Sequence, residues 1–430
     1  MNWSTFIRGL WPLAFLPLLN GAEAPRTLLN YLETAQRDNP GLEAFSARYE
    51  AAQARIPQAR SLPDPMLQVT HFVESVETRN GPQENAIMLN QRLPWFGKLD
   101  ARGNAASAEA EALWYAYQNQ QLALARRVAM GFYEYAYTAK ALELTRSNVD
   151  LLDQLLPMVE ERVRGGGDLN PVLRLQVELG KLNDRLQTLE QQRAAQSAQL
   201  RELLGMEPGE PLIWPEWSAP ATEALDGPSL QLALEANHPE LQMLARRVES
   251  AEARREIARL ENFPDITLGL NYIQIGDPGM PMAGSDPGKD AWGVMVSVNL
   301  PVWRGKYDGQ RDEAHQQQRA AEAELRDREN GLKAELAAAL ARYRDADRRL
   351  TLYRDTLLPL AGQAAEISRT SYEVGRATLL ELIDSERSKL ELQLLYWRAA
   401  ADAAQQRVVL QTLTNQPLAQ TFQPTLNREN

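Results

Sequence analysis

Glu381 and Asp384, within "YEVGRATLLELIDSERSKL" (372–390), stand three residues apart. That spacing puts both carboxylates on one face of a helix. Taken alone they read as two solvated helix acids, the usual fate of such side chains. The other groups that could do chemistry are scattered. His71, His238 and His315 are the chain's 3 histidines, and no HExxH or Cys/His spacing unites them. There is no cysteine, hence no disulfide and no thiolate metal site. Met280 and Met282 offer thioethers of the kind that suit Cu(I), although methionine's ordinary role as an adaptable apolar residue is the plainer reading. No Ser-His-Asp set, phosphate loop or dinucleotide fingerprint is evident. The residues therefore predict no enzyme, no cofactor and no resident metal. A net charge of −11 argues against nucleic acid as a partner.

The elements that carry these residues begin with an export signal. "MNWSTFIRGLWPLAFLPLLNGAEA" (1–24) has an early cation, an apolar stretch from Leu10 to Leu19 and a small-x-small close at Ala22-Glu23-Ala24. This is the pattern of a cleaved signal peptide. No later stretch reaches the ~20 apolar residues of a transmembrane helix. If the exported chain crosses a membrane, it must do so with β-strands.

The rest of the chain is written twice. "NPGLEAFSARYEAAQARIPQARSLPDPMLQV" (39–69) lines up with "HPELQMLARRVESAEARREIARLENFPDITLGL" (238–270). "NQRLPWFGKLDARGNAASAEAEA" (90–112) lines up with "SVNLPVWRGKYDGQRDEAHQQQR" (297–319), and "VRGGGDLNPVLRLQVELGKL" (163–182) with "YEVGRATLLELIDSERSKL". A near-constant displacement marks an internal duplication. The first repeat occupies 25–204 and the second 229–416. A Pro- and Trp-rich connector fills 205–228, and a tail follows at 417–430. Each repeat is expected to contain one helix (about 28–60 and 229–262) and a strand hairpin (66–92 and 265–300). A pair of very long helices then follows. Leu122, Ala125, Ala129, Phe132, Ala136 and Ala139 step by three and four. So do Ile383, Leu390, Leu394, Trp397, Ala401, Ala404 and Val408, with Arg387 as the polar intruder. That rhythm is the seam of helix packed on helix, and alone it would suggest an ordinary coiled coil.

The short segments argue otherwise. Trp292, Val294, Val296, Val298 and Leu300 alternate with Gly293, Met295, Ser297 and Asn299. Ile266 to Tyr272, Leu67 to Val73 and Ile87 to Asn90 alternate likewise, with turns read at 77–85 and 276–290. A period of two with one apolar face marks half-buried strands, and lipid outside with water inside gives a membrane barrel the same pattern. Four strands cannot close a barrel, since the smallest use about eight. Unpaired edges are not tolerated in lipid, so the strands must come together from several chains. Three copies would supply twelve.

A hairpin, a long helix, a Gly turn and a second long helix, duplicated behind a signal peptide, resemble the TolC-type outer-membrane efflux proteins over about residues 28–415. The junction "LPWFGKL" (93–99) is similar to that of the heavy-metal, CzcC- and CusC-like branch. The resemblance implies an α+β membrane protein. Its four strands per chain would join a trimeric, twelve-stranded outer-membrane barrel continued by a long periplasmic α-helical barrel. It implies a passive duct for heavy-metal cations, partnered by outer-membrane lipid, a periplasmic adaptor and an inner-membrane RND-type pump. Drugs, organic solutes or a secreted polypeptide are the alternative cargo, and a periplasmic coiled-coil adaptor is the alternative class. A lipid anchor on cysteine, common in the family, is not expected here, since the sequence has no cysteine.

Site residues follow from the resemblance. Glu381 and Asp384 match the acidic positions that ring the closed periplasmic end, with Glu standing where the family has Asp. Stacked carboxylate rings favour cations. The first repeat has Leu173 and Gln176 there instead. Gly165, Gly166, Gly167 and Gly375 mark the helix-reversing tips where the adaptor would dock, glycine supplying positive φ. Pro94, Trp95, Phe96 and Gly97, with Pro301, Trp303 and Gly305, mark the strand-to-helix junctions. There Pro ends the ladder, the aromatics suit a membrane-interface girdle and Gly lets the backbone turn.

Overall fold

The computed structural model describes residues 26–220, 224–277 and 288–418. The signal segment 1–24, Met280 and Met282, and nearly all of the tail lie outside the described residues. The chain runs α1 (Leu28–Asp38), α2 (Pro40–Arg60), β1 (Met66–Thr78), β2 (Gly81–Leu93), α3 (Lys98–Arg164) and α4 (Asn170–Leu204). It continues with α5 (Gly227–Asn237), α6 (Pro239–Leu260), β3 (Ile266–Ile275), β4 (Ala291–Val298), α7 (Arg304–Leu352), α8 (Leu358–Glu373) and α9 (Leu379–Leu413). A π-helical turn, Tyr353–Leu357, joins α7 to α8.

Each half opens on two helices where one was expected. The breaks fall at Asn39 and His238, each followed by proline. A residue before proline is pushed out of the α region, and proline is well suited to the first helical position. Asn39 Oδ1 accepts the Gly41 amide at 2.9 Å. His238 Nδ1 accepts the Glu240 amide at 3.2 Å. Burial pushes the His238 pKa down, which favours the neutral ring that can accept.

The strands form one antiparallel sheet in the order β1-β2-β3-β4, so β1 and β4 are its edges. Its rows read Leu67–Leu89–Leu270–Val294 and Val69–Ile87–Tyr272–Trp292. The first hairpin turn is far shorter than the 77–85 expected. Thr78 pairs with Gly81, leaving only Arg79 and Asn80 between the strands. Asn-Gly is a tight-turn signal, and the polar residues around it belong to strand ends rather than to a loop.

α3 has 67 residues, about 100 Å at 1.5 Å per residue. Leu122, Ala125, Ala129, Phe132 and Ala136 are buried along it, as are Ile383, Leu390, Leu394, Ala401, Ala404 and Val408 along α9. Ala139 and Trp397 are half-buried, and Arg387 turns outward. Each fully buried Leu adds roughly 1.5–3 kcal/mol, so the seams are a principal source of cohesion. The segment between the halves packs closely on them. Trp214 stacks on Tyr135 at 4.5 Å and Trp217 meets Trp397 at 5.4 Å. No helix among the described residues is long and apolar enough to cross a membrane.

Candidate functional site

The sheet separates two chemistries. Leu67, Val69, Ile87, Leu89, Leu268, Leu270, Val294, Val296 and Val298 share one face, and Gln68, Thr70, Asn90, Thr267, Asn271 and Ser297 share the other. The apolar face lies open, Val294 being 81% exposed. A contiguous apolar surface of that kind asks for lipid or a partner. A polar row ends it: His71 Nδ1 and Asn85 Oδ1 are 2.8 Å apart, and Asn85 Nδ2 donates to Gln274 Oε1 at 2.8 Å. Beside this row Tyr272 and Trp292 pair at 4.8 Å, a disposition expected of an interfacial girdle.

At the opposite end of the sheet, the first junction turns on one buried carboxylate. β2 stops at Leu93, Pro94 follows, and Gly97 adopts φ 83 before α3 begins. Trp95 stacks on Phe263 at 5.6 Å, while Phe96 is 83% exposed. Asp265, only 4% exposed, accepts Lys98 Nζ at 2.8 Å, the Trp95 amide at 3.0 Å and Arg92 Nε at 3.0 Å. Lys98 is itself 1% exposed and also donates to the Phe263 carbonyl. Burial alone would raise the Asp265 pKa. The hydrogen bonds from Lys98, Arg92 and the Trp95 amide outweigh it and hold the carboxyl below its ordinary range.

The second junction is built differently from expectation. Pro301 again follows the strand, and Trp303 is 75% exposed. Gly305, however, lies inside α7 without positive φ. The half has one more residue here, and two tight turns use it: Val302 N donates to Leu300 O, and Arg304 N to Val302 O. Trp303, at φ −84 and ψ 74, has inverse γ-turn geometry, which removes the need for a left-handed glycine.

The two tips close alike. Gly166 N donates to Val163 O and Gly167 N to Arg162 O; Gly375 N donates to Tyr372 O and Arg376 N to Ser371 O. Both are Schellman motifs, which need one left-handed residue. That residue is Gly166 (φ 96) in one and Gly375 (φ 74) in the other. Gly165 has φ −78, contrary to the positive φ expected of it. Gly167 answers to crowding, since a Cβ there would meet Arg162 O at 2.8 Å. The tips lie side by side across a cleft of roughly 210 Å³ lined by Asp168 and Arg174 from one and Thr378 and Ile383 from the other.

Glu381 and Asp384 sit at the second tip with their charges already engaged. Thr378 and Glu381 form a capping box, the Thr378 amide donating to Glu381 Oε2 at 2.7 Å. That backbone bond, with one from the Thr378 hydroxyl, lowers the Glu381 pKa. Asp384 pairs with Arg387 at 3.0 Å. One turn further, Glu386, 2% exposed, binds Arg369 at 2.8 Å and Lys389 at 3.3 Å, clamping α8 to α9. In the first tip the opening turn of α4 carries no acid, and Leu173 and Gln176 are exposed.

Sequence reasoning passed over Lys98, Asp265 and Glu386. The first two had a signal, since a Pro-Asp pair precedes the first strand of each hairpin (63–64 and 264–265) and a Gly-Lys pair follows the second (97–98 and 305–306). Of the histidines, His238 is consumed as a cap, His71 sits in the polar row and His315 is exposed on α7. No metal-holding cluster occurs among the described residues.

A family model described as "Outer membrane efflux protein" matches residues 31–206 and 230–416. The cobalt-zinc-cadmium resistance protein CzcC of Cupriavidus metallidurans is similar, at 24% identity over 385 residues, covering 87% of this chain and 86% of that protein. The pyoverdine export outer membrane protein OpmQ of Pseudomonas putida is 23% identical over 395 residues, covering 84% and 80%. The solved outer-membrane channel OprN superposes with a TM-score of 0.77 at 20% identity, covering 91% of this chain and 90% of that one.

Proposed function

Because the chain belongs to the outer membrane efflux protein family, whose members are transport ducts and not enzymes, we propose that it is the exit duct of a tripartite system for heavy-metal cations. Three copies close a twelve-stranded barrel in the outer membrane, and their helices continue as a periplasmic tunnel. The observation that carries this reading is the four-stranded sheet with one bare apolar face and two unpaired edges. Lipid tolerates such edges only when another chain pairs them. A periplasmic adaptor docks on the tips at Gly165–Gly167 and Gly375, and an inner-membrane RND-type pump supplies the energy. Residues 1–24 are removed on export, and no lipid is attached through cysteine.

Metal cargo is supported by the "LPWFGKL" junction and by the likeness to a cobalt-zinc-cadmium resistance protein. The pyoverdine-export relative favours a second reading, an organic solute through the same duct. Glu381 and Asp384, three of each in the trimer, form the acidic constriction. The cap keeps Glu381 ionised, and Asp384 is partly neutralised by Arg387, so Glu381 carries most of the ring's field.

Deleting the gene should lower the Zn²⁺, Co²⁺ or Cd²⁺ concentration that halts growth, and the wild-type copy should restore it. Unchanged metal tolerance with loss of an exported siderophore would favour the second reading. The gate needs a variant that keeps the cap, and Gln at 381 can do so. Glu381→Gln with Asp384→Asn should weaken block by divalent cations in planar-bilayer recordings; unaltered block would remove the gate assignment.

A further inference from the structure

The buried pair that locks β2 to β3 has an unmatched copy at the two edges of the sheet. Asp265 stands immediately before β3, and Lys98 stands just after β2, at the start of α3. Asp64 stands in the same place before β1, in "LPDP" against "FPDI". Lys306 is its counterpart after β4, in "RGK" against "FGK", one residue further from the shared Leu-Pro and already inside α7. Where Asp265 and Lys98 are buried, Asp64 and Lys306 are exposed. Neither side chain makes an ion pair or hydrogen bond among the described residues, and Lys306 only lies near the Tyr307 ring at 5.4 Å. The two cannot meet within one chain. They occupy opposite edges of a four-stranded sheet, three strand spacings or about 14 Å apart.

We propose that Lys306 of one subunit pairs with Asp64 of the next, so that the seam between subunits repeats the seam inside the chain. This rests on the trimeric reading above and adds its contact. The register that the same alignment sets is compatible with it. Pairing β4 with the neighbour's β1 as β2 pairs with β3 sets Val298 opposite Leu67 and Val296 opposite Val69. Those are lipid-face residues on both strands, and a slip of one residue would set each against the polar face. The partner is a second copy of this chain, because only that copy supplies both a complementary edge and the missing charge. The new pair is simpler than its template. Arg92, the second cation on Asp265, is replaced in the later half by Asn299, whose Oδ1 already accepts the Asp265 amide. Among side chains, Asp64 therefore depends on Lys306 alone.

Zero-length carbodiimide coupling of the detergent-purified full chain tests this. It joins an amine to a carboxylate only when the two touch. Denaturing gels should then show covalent dimers and trimers, with a Lys306–Asp64 isopeptide found by mass spectrometry. Lys306→Arg should abolish that link while leaving the trimer intact on native gels. Asp64→Lys should shorten the trimer's half-life in warm detergent at least severalfold, and Asp64→Lys with Lys306→Asp should restore it. A wild-type trimer without this link, or a double reversal that restores nothing, would overturn the contact alone. Recovery of monomers only would overturn the trimer and the contact together.

Discussion

Burying a carboxylate costs several kcal/mol unless its charge and lone pairs are met, and at Asp265 they are met by Lys98, Arg92 and the Trp95 amide. Lys98→Met leaves that charge with one exposed cation. Thermal or urea unfolding of the detergent-solubilised protein should show a loss of about 3 kcal/mol, the low end for a broken buried pair. The pH sign follows from the lowered pKa. The stabilisation is fully present above an unfolded carboxyl's value of about 4 and fades as pH falls through the lower folded value. The melting temperature should thus drop as pH falls below about 4, and Asp265→Asn should flatten the decline. At this scale the sequence was only partly legible. Lys98 lies inside "LPWFGKL", where a membrane interface accounts for the aromatics and nothing in the spacing marks the lysine. Its partner stands far along the chain, where only the recurrence of Pro-Asp and Gly-Lys hints at a link. Glu381 and Asp384 were legible as acids on one face. Their engagement by Thr378 and Arg387 depends on where α9 begins and how its side chains fold back, which spacing alone does not report.

Each helix tip depends on a single left-handed residue, which separates the four tip glycines. Gly166→Ala and Gly375→Ala should each destabilise their tip by about 1 kcal/mol, the cost of a side chain at positive φ. Gly165→Ala should be close to neutral, with φ −78 and its nearest contact at 3.5 Å. Amide exchange across 165–170 and 374–380 would separate the cases, since local opening rises only where the cap is strained. The long helices were readable because their seam rhythm runs for many turns. The breaks at Asn39 and His238 were less so, since the flanking segments are each good helices. Only the proline after each break signals the division. The first hairpin was misjudged for a related reason: strands that outrun the apolar band carry polar residues and imitate a loop.

At the scale of the whole molecule, the proposed duct needs the apolar face of the sheet to meet lipid, and adjacent residues test this. Val296→Lys should cost roughly 2–4 kcal/mol in the membrane and deplete the protein from outer-membrane fractions. Ser297→Lys, on the opposite face, should leave assembly intact and alter only conductance. Equal depletion by both would show that the apolar face does not contact lipid. The alternation in the strands made this division legible. The partners of the edge strands were not, because in the proposed duct closure involves other chains and no single sequence states its own stoichiometry. The π-helical turn at Tyr353–Leu357 has a consequence at the same scale. The stretch from Lys306 to Gly375 is one residue longer than that from Lys98 to Gly166, yet both tips share a cleft. In an α-helix the surplus would advance everything beyond it by 1.5 Å and rotate it by about 100°. The Leu358 amide instead reaches back to Tyr353, just ahead of Pro359, and the wider turn takes up the surplus like a shim. Arms that differ by one residue beyond their Gly-Lys pairs can therefore still bring their tips to one cleft.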